Sequence, residues 1–318
     1  MELENIKHLA VLGSGTMGHG IAMAYAIGGY ETNLHDISGD ALKLGIEKIK
    51  RSLVTFAEAE LIDEKSISKI ISKIHPSTNF EETVKDADLV TESIIEDLEI
   101  KKQTFEILDK VCSKDTILTS NTSSLLIDEM SANVKKKDRV LLTHFFNPAH
   151  IVPVVEIANG SQTSAKITDL VVKFFQKIKK VPVRINKILP GLLVNRIQMA
   201  IRREVWSLYE KGVATPEDID LAVKGTFGFR LASIGPFLTY DLAGLDLAYR
   251  VSSNLFPEIS DSHEVPDFIK QKVAANELGR KTGKGVFSYS EEEWQMIERN
   301  RDKEFLDRLK RHYWYDSL

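Results

Sequence analysis

The chain has 318 residues, of which 43% are hydrophobic and 28% are charged, and its formal net charge is −4. This is the composition of a globular protein long enough for two domains. The charge provides no basic field for nucleic acid or an anionic membrane. Cys112 is the one cysteine, which excludes an internal disulfide and suits a reducing compartment. The first residues do not have the pattern of a signal or transit peptide, and no apolar run approaches the ~18 residues of a membrane span. We therefore expect a cytoplasmic protein without nucleic-acid or membrane partners.

Short apolar runs alternate with helical segments in the first half of the chain. Residues 7–13 are predicted to form a buried strand, residues 18–27 a helix that ends at a glycine pair, and residues 31–36 a second strand. A long helical region is predicted for residues 40–73. Further strands are predicted in DADLVTESI, DTILTSNTS, DRVLLTHFF, VPVVEIA and KVPVRI, with a helix in LEIKKQTFEILDKVC. Strands that alternate with helices indicate βαβ units, and hence an α/β domain with a largely parallel sheet.

The pattern changes after Lys187, where strand-like runs almost vanish. Helices are predicted for residues 192–212, 237–255, 266–278 and 291–310. Another begins at Thr215, a residue type suited to the N-cap, with Pro216 at the first helical position. Pro190 and Gly191 break the chain between the two patterns. We therefore predict an N-terminal domain of residues 1–187 and an all-α C-terminal domain of residues 188–318.

The sequence GSGTMG follows the first predicted strand and opens the first helix. It places Gly13, Gly15 and Gly18 at G-x-G-x-x-G spacing, with Thr16 and Met17 between the last two. In a βαβ unit the first glycine permits a tight turn, the second lets the backbone approach a pyrophosphate, and the third lets helix and strand pack closely. The helix N-terminus also favours phosphates. Alone, this spacing is a weak signal, and a glycine-rich turn without a ligand is the alternative interpretation.

Asp36 strengthens the prediction of a dinucleotide site. It ends the second predicted strand, 18 residues after Gly18, where a carboxylate can accept hydrogen bonds from the hydroxyls of an adenosine ribose. The next residues, Ile37, Ser38 and Gly39, include no arginine that would hold a 2′-phosphate. The glycine loop and Asp36 together predict that the cofactor is NAD rather than NADP.

A histidine and a glutamate occur in two neighbouring apolar runs of the sequence THFFNPAHIVPVVEI. His144 ends the first run, Asn147 and Pro148 turn the chain, and Glu156 lies in the second run. An enzyme that oxidises an alcohol with a nicotinamide needs a base for the hydroxyl proton, and the pKa of histidine suits this role. A buried carboxylate would fix the tautomer of the imidazole and stabilise its charged form. The residues alone leave open that His144 is a core histidine and Glu156 a surface residue of an edge strand.

The motifs GSGTMGHGIA, SNTSSL, HFFNP, PGLLVNR and GRKTGKGVFSY occur in the same order as in L-3-hydroxyacyl-CoA dehydrogenases. The chain resembles this family over almost its whole length. The resemblance implies a Rossmann domain, a helical domain that dimerises, and hence a homodimer with a small-molecule substrate. It further implies His144 as catalytic base with Glu156 as its partner, Ser123, Asn147 and Asn195 as substrate contacts, Asn121 as a cofactor contact, and Glu96 and Lys101 beside the nicotinamide-side ribose.

Ordinary structural roles are the alternatives to these implied ones. Ser123 could cap a helix that begins at Ser124, and Asn195 could be satisfied within a pair of helices. Glu96 and Lys101 could form a solvated surface pair. We expect no metal site, because the sequence contains no cluster of cysteine, aspartate or glutamate at ligand spacing.

Two segments bear on the identity of the substrate. In the family that the chain resembles, the helical hairpin after the second strand usually offers lysines to the CoA tail. Here its tip, residues 55–65, carries four carboxylates that would repel phosphates unless Lys48, Lys50 or Arg51 reaches across. Arg230 lies in a segment that also resembles gulonate and carnitine 3-dehydrogenases, which oxidise free hydroxy acids. It could clamp a free carboxylate, and a surface ion pair is its alternative role.

Three functions follow from these observations. The first is NAD-dependent oxidation of the 3-hydroxyl of a short-chain L-3-hydroxyacyl-CoA, because that activity dominates the family that the chain resembles. The second is the same reaction on a free 3-hydroxy acid. The third is a non-catalytic NAD-binding protein of the crystallin type, against which the presence of Ser123, His144, Glu156 and Asn195 argues.

Overall fold

The structure is a computed structural model that describes the backbone of residues 2–314 and the side chains of residues 2–313. The chain separates into two compact units. The first comprises Met1–Leu193 together with the segment that begins at Glu298, and the second comprises Val194–Ile297. The domain boundary at residue 187 stays a prediction, and the last four residues of the predicted second domain lie outside the described residues.

An eight-stranded sheet forms the centre of the first unit. Its spatial order is β3-β2-β1-β4-β5-β6-β7-β8, and every pairing is parallel except that of β6 with β7. The first six strands have the order of the doubly wound dinucleotide-binding fold. The predicted Rossmann domain with a mostly parallel sheet is therefore confirmed. The strands are β1 (His8–Leu12), β2 (Glu31–His35), β3 (Ile74–Ser77), β4 (Leu89–Glu92), β5 (Ile117–Ser120), β6 (Val140–Phe145), β7 (Val154–Asn159) and β8 (Val181–Ile185).

Helices cover both faces of this sheet. Leu9 and Val11 of β1 belong to one apolar core, whereas Ala10 and Leu12 belong to another. Successive side chains of a strand point to opposite faces, so the two cores lie on the two sides of the sheet. The helices are α1 (Gly18–Ile27), α2 (Gly39–Glu58), α3 (Ile67–Ile71), α4 (Phe80–Val84), α5 (Leu98–Val111), α6 (Ile127–Met130) and α7 (Ala165–Lys177).

The second unit is helical, which confirms the predicted character of this region. Thr215 accepts a hydrogen bond from the N–H of Asp218 at 3.2 Å and is followed by Pro216, as the sequence predicts for a helix start. The helices are α8 (Val194–Glu210), α9 (Pro216–Gly225), α10 (Phe227–Leu231), α11 (Pro236–Ala243), α12 (Leu245–Leu255) and α13 (Asp267–Ala274). The chain continues into α14 (Glu291–Leu309), whose C-terminal part belongs to the first unit. Over the described part of the chain, no helix combines the length and apolarity needed to cross a membrane.

The structure differs from the sequence prediction in several elements. The predicted helical region of residues 40–73 is interrupted after α2, where Glu60 adopts a φ of 57°, and resumes only as a short turn of 3-10 helix and α3. The predicted helix of residues 237–255 is two helices, because Gly244 has a φ of 96° that a continuous helix cannot contain. Strand β3 and helix α7 are not among the elements predicted from the sequence. Pro76 lies within β3, a position that an edge strand tolerates.

Candidate active site

The loop between β1 and α1 is built around three glycines. Gly13 has a φ of 93°, and a Cβ there would lie 2.4 Å from the carbonyl oxygen of Ser93. A Cβ on Gly18 would lie 1.7 Å from the carbonyl oxygen of Gly13. In contrast, a Cβ on Gly15 would meet no atom within 4 Å, and Gly15 does not have a positive φ. The protein's own packing therefore explains Gly13 and Gly18, whereas no described atom within 4 Å requires a glycine at position 15.

The rest of the loop faces outward, and Asp36 lies beside it. Thr16 is exposed and Met17 is half-buried at the start of α1. The Oδ2 atom of Asp36 accepts hydrogen bonds from the N–H and the hydroxyl of Ser14, at 2.9 and 2.8 Å, and Oδ1 accepts one from the N–H of Ser38 at 3.2 Å. Partial burial opposes ionisation of Asp36, but these hydrogen bonds outweigh it and hold the pKa of its carboxyl below the ordinary value. The loop thus has a carboxylate that can bind ribose hydroxyls and would repel a 2′-phosphate.

His144 and Glu156 form a buried pair. The antiparallel register of β6 and β7 places the two residues opposite each other. The Nδ1 atom of His144 lies 2.7 Å from Oε2 of Glu156, whose side chain is fully buried. The other oxygen, Oε1, accepts the backbone N–H of Leu193 at 3.1 Å. The alternative interpretation, in which Glu156 is a surface residue, is therefore wrong. Because Nδ1 of His144 contacts the carboxylate, Nε2 is the ring nitrogen that remains for another partner.

Asn121 connects the ends of three neighbouring strands. Its Oδ1 atom accepts the N–H of Phe145 at 2.8 Å, and its own N–H donates to the carbonyl oxygen of Glu92 at 2.8 Å. Ser123, which follows in the same loop, is half-buried. The alternative that Ser123 caps a helix is wrong, because α6 begins at Ile127. Within residues 2–313, the hydroxyl of Ser123 makes no hydrogen bond, so it is available to a bound molecule.

Lys101 is not one partner of a solvated surface pair, because it is buried and also contacts the buried Glu92, whereas the Glu96 side chain is 41% exposed. Lys101 is only 1% exposed. Its ammonium group lies 2.6 Å from Oε1 of Glu92 and 3.2 Å from Oε2 of Glu96. Glu92 ends β4 and also accepts the hydroxyl of Ser120 at 2.5 Å. Glu92 is not among the residues predicted from the sequence, although a carboxylate inside the apolar run DADLVTESI is a signal for it.

Glu96 connects this network to the loop that contains Ser123. Its Oε1 atom accepts hydrogen bonds from the hydroxyls of Thr122 and Ser124, the two neighbours of Ser123. Burial raises the pKa of Glu96, but the hydroxyls and the Lys101 ammonium outweigh it and hold the pKa below the ordinary value. The charged carboxylate therefore fixes the loop on both sides of Ser123.

The turn and the second unit contain the other predicted substrate contacts. Asn147 is exposed in the turn between β6 and β7. Asn195 is half-buried in the first turn of α8, and Arg230 is exposed in α10. Arg230 forms no ion pair with any described residue. Nowhere in residues 2–313 do three or more histidine, cysteine, aspartate or glutamate side chains come together as a metal site would require.

Comparison with known proteins identifies the family. The profile described as 3-hydroxyacyl-CoA dehydrogenase, NAD binding domain, matches residues 8–188, and the profile of the C-terminal domain of the same enzymes matches residues 191–289. The chain belongs to the 3-hydroxyacyl-CoA dehydrogenase family. Membership of this family confirms that the cofactor is NAD. It also confirms the enzyme class, an oxidoreductase that acts on CH–OH groups. The glycine loop and Asp36 described above fit this cofactor.

Members of the family with different names resemble this chain. A 3-hydroxybutyryl-CoA dehydrogenase of Clostridioides difficile is 36% identical over 283 residues, which cover 89% of this chain and 99% of that protein. A 5-formyl-3-hydroxy-2-methylpyridine 4-carboxylate 5-dehydrogenase of Mesorhizobium japonicum is 31% identical over 304 residues, which cover 95% of this chain and 96% of that protein. Among solved structures, a dehydrogenase of the same pyridine carboxylate, described as an NAD-dependent dismutase, has a TM-score of 0.88 at 29% identity, with coverage of 95% and 96%. The (S)-3-hydroxybutyryl-CoA dehydrogenase of Ralstonia eutropha has a TM-score of 0.73 at 33% identity, with coverage of 90% and 100%.

We predict that Gly15→Ala weakens NAD binding without lowering protein stability. The added methyl group meets no protein atom, but it occupies the space in which the cofactor would contact the backbone. Thermal unfolding should give an unchanged midpoint, and calorimetry should give an NAD affinity at least about tenfold weaker, the cost of ~1.4 kcal/mol of lost contact. Gly18→Ala is the contrasting variant and should lower the midpoint, since its Cβ overlaps the backbone of Gly13. Unchanged NAD affinity in Gly15→Ala would contradict the role of this glycine.

Proposed function

We propose that the protein is an NAD-dependent dehydrogenase of a hydroxyl group beta to a carbonyl, with His144 as the base. The observation that carries the proposal is the bond of 2.7 Å between Nδ1 of His144 and Oε2 of the buried Glu156. This bond orients the imidazole and supports a positive charge on it, which are the two properties that a general base of this kind needs.

In the proposed reaction, Nε2 of His144 takes the proton of the substrate hydroxyl. The C–H bond at the same carbon breaks with its electron pair, and the alcohol becomes a ketone. NAD, held by the glycine loop and Asp36, would supply the acceptor for that hydride. Glu156 stabilises the imidazolium through Nδ1–H, and in the reverse reaction His144 returns the proton to the substrate oxygen. Ser123 and Asn195 donate hydrogen bonds to the substrate oxygen, and Asn147 contacts the substrate.

The cofactor is held by residues of the first unit. We propose that Gly13, Gly15, Thr16, Met17 and Gly18 bind the pyrophosphate, and that Asp36 binds the adenosine ribose and disfavours NADP. We place the nicotinamide-side ribose near Glu96 and Asn121, which follow the carboxyl ends of β4 and β5. Lys101 reaches the same place from α5 through its bond to Glu92. The open face of Gly15 and the ionised carboxylate of Asp36 support this assignment.

We predict that His144→Gln removes most turnover and leaves NAD affinity unchanged. Loss of a general base typically lowers the rate by ~10²–10⁴-fold, and His144 does not lie in the glycine loop. Glu156→Gln should also lower turnover, because a neutral amide cannot stabilise the imidazolium. Steady-state kinetics at saturating NAD provide the measurement, with the exposed His263→Gln as the control. Near-full activity in both variants would mean that the pair is only structural.

The first candidate substrate is a short-chain L-3-hydroxyacyl-CoA. The family profiles and the 36% identity to a 3-hydroxybutyryl-CoA dehydrogenase support it. A CoA ester needs cations for its phosphates, and Lys48, Lys50 and Arg51 of α2 are the candidates on this chain. Of these, Lys50 and Arg51 are exposed and Lys48 is half-buried.

The second candidate is a small free carboxylic acid, and the C-terminal segment favours it. Residues after 289 lie outside both family profiles. The match of 304 residues to the pyridine carboxylate dehydrogenase is longer than those 289 residues, so it extends into the segment that forms α14. In this chain Lys310 forms an ion pair with Glu60 at the tip of the hairpin, next to α2. The cation that reaches the tip is thus engaged by a carboxylate of the protein, and the end of the C-terminal helix lies there.

We predict that Arg230→Ala distinguishes the two substrates. With a CoA thioester as substrate, no free carboxylate needs a cation, so the specificity constant should stay nearly unchanged. With a free hydroxy acid, truncation of the clamp should lower the specificity constant by on the order of 30-fold or more. Wild type and variant are compared on acetoacetyl-CoA reduction and on oxidation of a panel of free hydroxy acids, with Arg250→Ala as the matched control. Activity on free acids that survives Arg230→Ala would contradict the proposed clamp.

We propose that the protein is a homodimer formed through the second unit. Helices α8 to α13 contain no buried side chain in the single chain. Many large apolar side chains of this unit are exposed, such as Phe237 at 88% and Tyr249 at 75%. A helical region needs a covered apolar face to be stable. A second copy of the same helices would cover it, as expected of an obligate dimer.

We predict that light scattering at micromolar concentration gives twice the chain mass of 35.8 kDa. Dilution into the nanomolar range should reduce helical circular dichroism if the monomer cannot keep the second unit folded. A stable monomer with full helical content at micromolar concentration would contradict the dimer.

A further inference from the structure

The turn that joins β6 to β7 is held by a lysine from another part of the chain. The ammonium group of Lys180 lies 2.7 Å from the carbonyl oxygen of Ala149, 2.9 Å from that of Val152 and 3.5 Å from that of His150. These three carbonyls belong to residues 146–153, the segment between the strand of His144 and the strand of Glu156. Within the turn itself, the N–H groups of Ile151 and Val152 both donate to the carbonyl oxygen of Pro148, at 3.0 and 2.9 Å.

Lys180 is itself held between the end of α7 and the start of β8. Its backbone N–H donates to the carbonyl oxygen of Phe175 at 2.9 Å, and the N–H of the next residue, Val181, donates to the carbonyl oxygen of Pro153 at 2.9 Å. Val181 begins β8 and pairs with Val154, the first residue of β7. The side chain therefore reaches the turn from a backbone whose position relative to the Glu156 strand is set by the sheet.

The ammonium group is buried without a carboxylate. Lys180 is 7% exposed and takes part in no ion pair among the described residues. Lys180 lines a small cavity together with Phe56, His150, Ile178 and, from the C-terminal helix, Leu309. Burial lowers the pKa of Lys180 to about 7, while the three carbonyl dipoles favour its charged form. Burial also lowers the pKa of His150 to about 3, so this neighbour is neutral.

The three N–H donors of the ammonium group suit a lysine to this buried position, although burial disfavours its charge. An ammonium group has three donors and no acceptor, which matches three converging carbonyl oxygens. An apolar side chain of the same length would leave these carbonyls without their partner, and buried unpaired polar groups are destabilising. Of the contacts between the turn and this part of the chain, the backbone bond from Val181 to Pro153 would remain, so we expect the segment from Ala149 to Val152 to become more mobile.

We propose that Lys180 is a positioning residue of the active site. Its ammonium group holds the turn so that His144, Glu156 and Asn147 keep their relative places. The effect on catalysis rests on the proposed function, in which His144 is the base, whereas the effect on the turn does not.

The test compares Lys180→Met with Lys173→Met, which removes an exposed lysine of α7. Hydrogen exchange measured by mass spectrometry reports the turn independently of activity. In Lys180→Met, the peptide of residues 146–153 should exchange at least about tenfold faster, while peptides of α1 and the affinity for NAD stay unchanged. Turnover per NADH-binding site should fall roughly ten- to a hundredfold, since a small misplacement of catalytic groups has effects of this size. The Lys173→Met control should match wild type in every measurement.

Two results would overturn the proposal. One is unchanged exchange of the turn in Lys180→Met. The other is faster exchange with unchanged turnover per NADH site, which would make Lys180 structural only. Wild-type protein without activity on either substrate type would instead contradict the proposed function and leave the exchange result intact. If Lys180→Met does not fold, Lys180→Gln is measured in the same way. The glutamine side chain is shorter and its amide has two donors where the ammonium group has three, so exchange of the turn and turnover that both equal wild type would also overturn the proposal.

Discussion

The antiparallel pairing of β6 with β7 is the constraint on which the proposed chemistry depends. In a sheet whose other pairings are parallel, only these two strands are joined by a short turn, since parallel neighbours need a long crossover. The register puts His144 directly opposite Glu156, on the same face and at hydrogen-bond distance. A slip by one residue would move one partner to the other face of the sheet. The hydrogen bond between His144 and Glu156 therefore depends on the register of β6 and β7.

Other buried charged groups lie at the same edge of the sheet as this pair, and each has partners that offset its loss of water. The Glu156 carboxylate has the imidazole and the N–H of Leu193, Glu92 has the Lys101 ammonium and the Ser120 hydroxyl, and Lys180 has three carbonyls. Removing one partner from such a group is expensive because the other stays desolvated. The networks therefore make the carboxyl ends of the strands rigid, at the edge where ligands bind in open α/β sheets.

The sequence predicted the features that depend on local pattern. Gly13, Gly15 and Gly18 lie in the predicted strand-to-helix loop, Asp36 follows β2, and His144 and Glu156 fall in strands that a short turn makes neighbours. Features that depend on long-range packing were missed. The sequence could not show that Lys101 reaches a carboxylate at the end of β4, or that Lys180 points into a turn some 30 residues earlier. β3 was also missed, because it contains a proline and little apolar alternation. It forms a strand by pairing with β2 at the edge of the sheet.

A crystal structure with NAD and a bound hydroxy substrate would test the central claim most directly. The account predicts that the reacting hydroxyl oxygen lies within hydrogen-bond distance of Nε2 of His144, while Nδ1 keeps its bond to Glu156. It also predicts that the hydroxyl-bearing carbon faces the nicotinamide. A substrate hydroxyl beyond the reach of His144, or an imidazole turned away from Glu156 in the complex, would contradict the assignment of this pair as the base.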